Sequence, residues 1–96
     1  MLISKGISAG EIIALKLVTS EEVLCKLIEE TADAYIVSKP LLLVPQQKGL
    51  GLMQVVMSMD PDKSVTIKKI HVMLCCEIVP QLKQHYLETT SSIQLV

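Results

Sequence analysis

Apolar side chains recur every second residue along much of this chain, in short runs separated by polar breaks of hairpin length. A period of two places alternate residues on opposite faces of an extended strand, so the pattern predicts β structure. Between Glu11 and Thr19, Ile13, Leu15 and Leu17 share one face, and Ile12, Ala14, Lys16 and Val18 share the other. After the break Thr19-Ser20-Glu21-Glu22, a second strand from Val23 to Glu29 alternates Val23, Cys25 and Leu27 against Leu24, Lys26 and Ile28. A polar turn over 30–34 leads to a third strand, Tyr35 to Val44. Pro40 interrupts it and marks an edge, a bulge or a bend, because proline cannot donate to a ladder.

Residues 45–51 read as a loop, Leu52 to Met59 as a fourth strand, and Asp60-Pro-Asp-Lys-Ser64 as a turn. Val65 to Lys69 is a short extended piece, and the β-branched run Ile70 to Val79 reads as the fifth strand. Pro80 suits a first helical turn, and Leu82 and Tyr86 would share a face, so a helix is expected over 80–88. Apolar residues on both faces of several strands must be covered by barrel closure, by the helix or by neighbouring subunits.

The chain of 96 residues is read as a single domain, 1–96. Half of it is hydrophobic, yet Tyr35 and Tyr86 are its only aromatic residues, so the core must be aliphatic. A mean hydropathy of +0.48 in so small a domain puts apolar side chains on the surface, the usual mark of a partner surface. There is no apolar run of about eighteen residues to span a membrane, and residues 1–10 lack the features of a signal peptide, so a cytoplasmic location is expected. Cys25, Cys75 and Cys76 are an odd set without the spacing of a zinc site, and are expected to be free thiols rather than a disulfide framework. No nucleophile stands with an orienting base, and Gly49-Leu-Gly51 is too short for a phosphate loop. The chain is therefore read as no enzyme, with no cofactor and no metal.

The strand order, the turn placement and two motifs resemble the Sm/LSm-like family, most of all the Sm-like proteins of marine cyanophages and their metagenomic relatives, over roughly residues 11–88. Ile13-x-Leu15-x-Leu17 and Val23-Leu-Cys-Lys-Leu27 are similar to the two halves of the first motif. Cys25 stands where the family has glycine, and Asp33 and Tyr35 sit near its Asp and Asn positions. Ile67-Lys-Lys-Ile-His71 is similar to the second motif, with Lys68 and Lys69 in the basic positions and neither Gly nor Arg.

The resemblance implies a small, strongly bent five-stranded antiparallel barrel with a C-terminal helix. It implies a homo-oligomeric ring of about five to seven protomers, in which the fourth strand of one subunit runs along the fifth of the next. It further implies that single-stranded RNA, or DNA, meets the central face of the ring at Lys39, Lys68, Lys69 and His71, with Tyr35 stacking on a base. All nine basic residues are lysine, against ten acids, and the pI is near 6.1. Symmetry would turn a modest patch into a charged annulus despite that balance. A phage protein would then work in the host cytoplasm, in RNA processing or regulation.

Each residue also has a plainer reading. Lys68-Lys69 can be a solvated turn, His71 a satisfied strand histidine, and Tyr35 a packed strand aromatic. Lys39 can guard an edge or face the pore. The alternative function is an assembly ring that organises protein partners and touches no nucleic acid.

Overall fold

The computed structural model describes residues 8–47, 49–56, 58–60 and 62–94, with the side chains of 92–94 outside the description. Its elements are β1 (Ile12–Leu17), β2 (Glu22–Glu30), β3 (Ala34–Gln46), β4 (Gly49–Gln54), β5 (Ser64–Lys68), a 3-10 turn (Lys69–His71), β6 (Val72–Glu77) and α1 (Pro80–Gln94).

The first three strands form a meander. Ile13 lies opposite Cys25 and Leu15 opposite Val23, so the alternation read from the sequence sets the register. The β1–β2 turn closes through Leu17 N–H to the Glu21 carbonyl at 2.8 Å and carries Ser20 at a φ of 91°. β3 is the spine of the sheet. One edge pairs with β2 along nearly its whole length, and the other takes β5 on Ala34–Ser38 and β4 on Leu41–Gln46. Between those stretches the β2 register slips, with Leu24 opposite Leu41 but Lys26 opposite Ser38. Lys39 and Pro40 occupy that bulge, and Lys39 has a φ of 49°. Pro40 thus sits where no ladder asks for its missing N–H.

The result is a bent antiparallel sheet, five strands wide, in the order β4-β3-β2-β1-β6, with β5 beside β4 on the same edge of β3. The expected closed barrel is not formed. Among the described residues β5 and β6 each keep one unpaired edge. The physical reason is the connection between them. β5 and β6 are both antiparallel to strands that themselves run alike, so closing the sheet would require a parallel ladder. Parallel neighbours need a crossover of a dozen or more residues, and only the 3-10 turn joins these two.

Both faces are nonetheless buried. On the inside of the bend, Ile13, Leu15, Cys25, Leu27 and Val37 pack with Val65 and Ile67 from β5 and with Val72 and Cys75 from β6. On the outside, Ile12, Ala14, Leu24 and Leu41 lie under Tyr86 of α1. Each fully buried Leu or Ile in these clusters contributes on the order of 1.5–3 kcal/mol relative to exposure.

Other boundaries also differ from expectation. Residues 45–51, read as a loop, form the tip of the β3–β4 hairpin, where Gln46 pairs with Gly49 and a φ of 127° requires a glycine at 49. β4 ends at Gln54 rather than Met59, the run Ile70 to Val79 is split by the 3-10 turn, and α1 extends past Glu88 to Gln94.

Candidate nucleic-acid interface

Four of the five expected site residues come from two neighbouring segments. The β2–β3 turn is tied by Thr31 N–H to the Ala34 carbonyl at 2.9 Å, and the Thr31 hydroxyl lies 3.2 Å from Asp33 Oδ1. The end of β5 joins it: Lys68 is opposite Ala34 in the ladder, and Lys69 N–H donates to the Asp33 carbonyl at 2.8 Å. Strand pairing thereby brings Tyr35, Lys68 and Lys69 to one corner. His71 stands exposed at the end of the 3-10 turn, its carbonyl accepting from Val18 N–H at 2.8 Å.

The charges at this corner are internally paired. Lys69 Nζ is 2.7 Å from Glu30 Oε2, and Lys68 Nζ is 3.8 Å from Asp33 Oδ2. The Lys69 ammonium also lies 5.1 Å from the centroid of the Tyr35 ring, a cation–π distance. One face of the expected stacking platform is therefore already covered by a lysine. Burial first, then the neighbouring Cys75 thiol and Glu30 carboxylate, push the Tyr35 phenol up to about 12, so it is a neutral hydroxyl at physiological pH. Burial likewise raises the Cys75 thiol, which its hydrogen bond with Tyr35 partly offsets. The Lys68–Asp33 pair is largely exposed, and such pairs contribute only about 0–1 kcal/mol. A phosphate can replace Asp33 at Lys68 at little cost, whereas Lys69 is held by both an acid and a ring.

Lys39 is not part of this corner. It lies at the bulge of β3, where its carbonyl accepts the Tyr86 hydroxyl at 2.7 Å, and it lines a cleft beneath α1. The sequence places Glu30 and Asp33 in a polar turn and gives no sign that they partner the two lysines. Only the strand register reveals that pairing. Among the described residues no group of three or more His, Cys, Asp or Glu is placed to hold a metal ion, and no helix is long and apolar enough to cross a membrane. Cys25 is buried, Cys75 half-buried and Cys76 exposed, and all three are free thiols.

No protein-family model matches the chain, and no curated protein matches it. These comparisons give no support to Sm/LSm membership, to RNA binding as a family property or to a phage origin. With the barrel open, the resemblance reduces to topology. The chain is a small, mostly β domain with a bent antiparallel sheet and one C-terminal helix, loosely compatible with Sm-like folds.

Proposed function

We propose that this chain is a non-catalytic, self-associating module whose copies join through the β6 edge, and whose Lys68–Lys69 corner, repeated by the assembly, contacts single-stranded nucleic acid. The observation that carries the reading is the character of that edge. β6 pairs with β1 on one side only, and large apolar side chains stand exposed along it and the preceding turn, Ile70 at 79%, Met73 at 60% and Leu74 at 59%, alongside exposed His71 and Glu77. An unpaired strand edge with large apolar side chains is a template for a second strand, and soluble proteins ordinarily protect such edges with charge or cover. Among the described residues β4 and β5 offer free edges on the opposite side of the sheet, so head-to-tail pairing of copies into a closed ring can give β6 a partner there. In that ring, each copy presents Tyr35, Lys68, Lys69 and His71 once, and symmetry supplies the multivalency that one neutralised corner lacks.

A second reading is favoured by the ion pairs themselves. With Lys68 and Lys69 held by Asp33 and Glu30, the assembly can organise protein partners without binding a strand.

Light scattering on the native chain and on Leu74→Lys tests the association: the native chain should be oligomeric and the variant smaller. A monomeric native chain would remove the proposal. Fluorescence anisotropy with oligo-U and oligo-dT, at low and high salt, separates the two readings. Binding that weakens steeply with salt and is lost in Lys68→Glu/Lys69→Glu, with the oligomer intact, supports the nucleic-acid contact. An oligomer that binds neither strand leaves the protein-assembly reading.

A further inference from the structure

A row of residues, Ile12, Lys26 and Ser38, crosses β1, β2 and β3 beside the cluster under α1. Above this row the second half of α1 presents Tyr86, Thr90 and Ser91. Between sheet and helix lies an open cleft of about 320 Å³, lined from the sheet side by Lys26, Ser38 and Lys39. Two lysines in a cleft beside an apolar cluster need an explanation. Ten acids are available in the chain, yet none lines this cleft. Among the described residues neither Lys26 nor Lys39 has a carboxylate within 4.0 Å, although Lys68 and Lys69 both do.

The backbone at Lys39 adds an independent observation. Lysine is not a residue that favours the left-handed region, and Lys39 adopts it at a φ of 49°, immediately before buried Pro40. The β2–β3 bulge sets this conformation, and the Tyr86 hydroxyl, donating to the Lys39 carbonyl, fastens it to the helix. Bulges re-aim side chains. Here the bulge keeps Lys39 at the cleft that Lys26 also lines.

We propose that this cleft binds a phosphate monoester. Two ammonium groups match the charge of a phosphate dianion. The Ser38 and Ser91 hydroxyls add donors that can rotate to an oxygen, whereas Thr90 already donates to helix carbonyls of Tyr86 and Leu87. Ile12 and the Tyr86 ring give an apolar wall for the organic part of the ester. The cleft is separate from the Lys68–Lys69 corner and does not depend on the assembly. The same chemistry is offered by a free sugar phosphate and by the 5′ end of a nucleic acid strand.

Amide chemical-shift titration of the full chain, at constant ionic strength, tests the site with inorganic phosphate, ribose 5-phosphate and ribose. Saturable shifts at Lys26, Ser38, Lys39 and Ser91 are expected with the two phosphates and none with ribose. Lys39→Gly removes the ammonium while suiting the backbone, and should weaken binding at least tenfold with the fold retained. Lys26→Gln, on an exposed side chain, should do the same, whereas Lys63→Gln, an exposed lysine outside the cleft, should leave the affinity unchanged. Oligo-dT with and without a 5′-phosphate identifies the source: a response to the phosphorylated strand stronger than to ribose 5-phosphate assigns a strand end, and the reverse order a free ester. Absence of saturable shifts with every phosphate, or equal affinity in Lys39→Gly and Lys26→Gln, would overturn the site.

Discussion

Replacing Tyr86 with Phe removes one oxygen from the joint between helix and sheet. The Tyr86 ring is 1% exposed and packs on Ile12, Ala14, Leu24 and Leu41, contacts that Phe retains. Its hydroxyl donates to the Lys39 carbonyl at 2.7 Å and lies 3.3 Å from that of Ser38. The Lys39 carbonyl belongs to the bulge, where the β2, β4 and β5 ladders all lapse. Losing a hydrogen bond costs about 0.5–1.5 kcal/mol, and a fully buried carbonyl left without a partner costs about 1–3 kcal/mol. This site is only partly buried, so the lower half of those ranges applies, and Tyr86→Phe should cost about 1.5 kcal/mol. In a domain of this size that lowers the melting temperature by roughly 6–12 °C. Tyr86→Ala, which also empties the ring's place, should cost about 3–5 kcal/mol. Urea unfolding followed by circular dichroism measures both, with an unchanged m-value showing that the same surface is exposed. A Phe variant within about 0.5 kcal/mol of the native chain would refute the reasoning, since α1 would then be held by ring burial alone.

Alkaline pH should destabilise the fold in steps. Burial pushes the Cys25 thiol from 9.0 up to about 12, with a smaller contribution from Cys75. The folded state therefore retains a proton that the unfolded chain gives up. The associated stability is complete below pH 9 and falls by about 1.4 kcal/mol per pH unit as pH rises toward 12. Urea midpoints between pH 8 and 10 should decline in the native chain and decline less in Cys25→Ala, where the raised Cys75 thiol still contributes; equal slopes would count against Cys25 as a cause. Above pH 10, Tyr35 and Tyr86, both raised chiefly by burial, add to the loss. Ser20→Gly should stabilise the chain slightly. Relief of a left-handed serine at φ 91° is worth about 1–2 kcal/mol, against roughly 0.5–1 kcal/mol of added glycine entropy. A lower melting temperature in this variant would show that the turn's side-chain hydrogen bond from Thr19 to Glu21 depends on serine.

The meander β1–β2–β3 was legible because Ile13, Leu15, Cys25 and Leu27 alternate without interruption, and alternation fixes register. Pro40 announced an edge, a bulge or a bend for a reason intrinsic to proline, and the register makes it a bulge. The hairpin tip at Pro45–Gly51 was hidden because Pro45 lies beyond the reach of β2, which ends opposite Leu43. A proline is tolerated in a strand with only one partner, and composition does not count partners. The 3-10 turn at Lys69–His71 carries no Gly or Pro to signal it. The last turns of α1 run through Thr89, Thr90 and Ser91, residues that favour helices weakly, and are held by tertiary contact: Thr90 is buried and bonds back to the Tyr86 carbonyl at 3.0 Å. At the candidate corner, the nearness of Tyr35 to Lys68 and Lys69 followed from strand pairing, but the neutralising acids did not. Lys26 was visible as a lone charge between Leu24 and Ile28 on one strand face. Its meaning needed the helix above it.

The pairing of β6 with β1 bears on how the chain reaches this state. β1 meets β2 across a four-residue turn, whereas it meets β6 across about sixty residues, Ile13 lying opposite Glu77. Each doubling of a loop adds about 0.6 kcal/mol of closure entropy, and that span is roughly four doublings longer. β6 is thus the strand whose docking is entropically dearest, and the order of folding favours the meander first and β6 late. Its partner edge on β1 stays open until then, with Ile13 and Leu15 behind it. The strand that finishes the core also leaves Met73 and Leu74 exposed. In the proposed assembly, folding and association would meet at the same step, and a second copy that arrives early would compete with the chain's own β6 for the β1 edge.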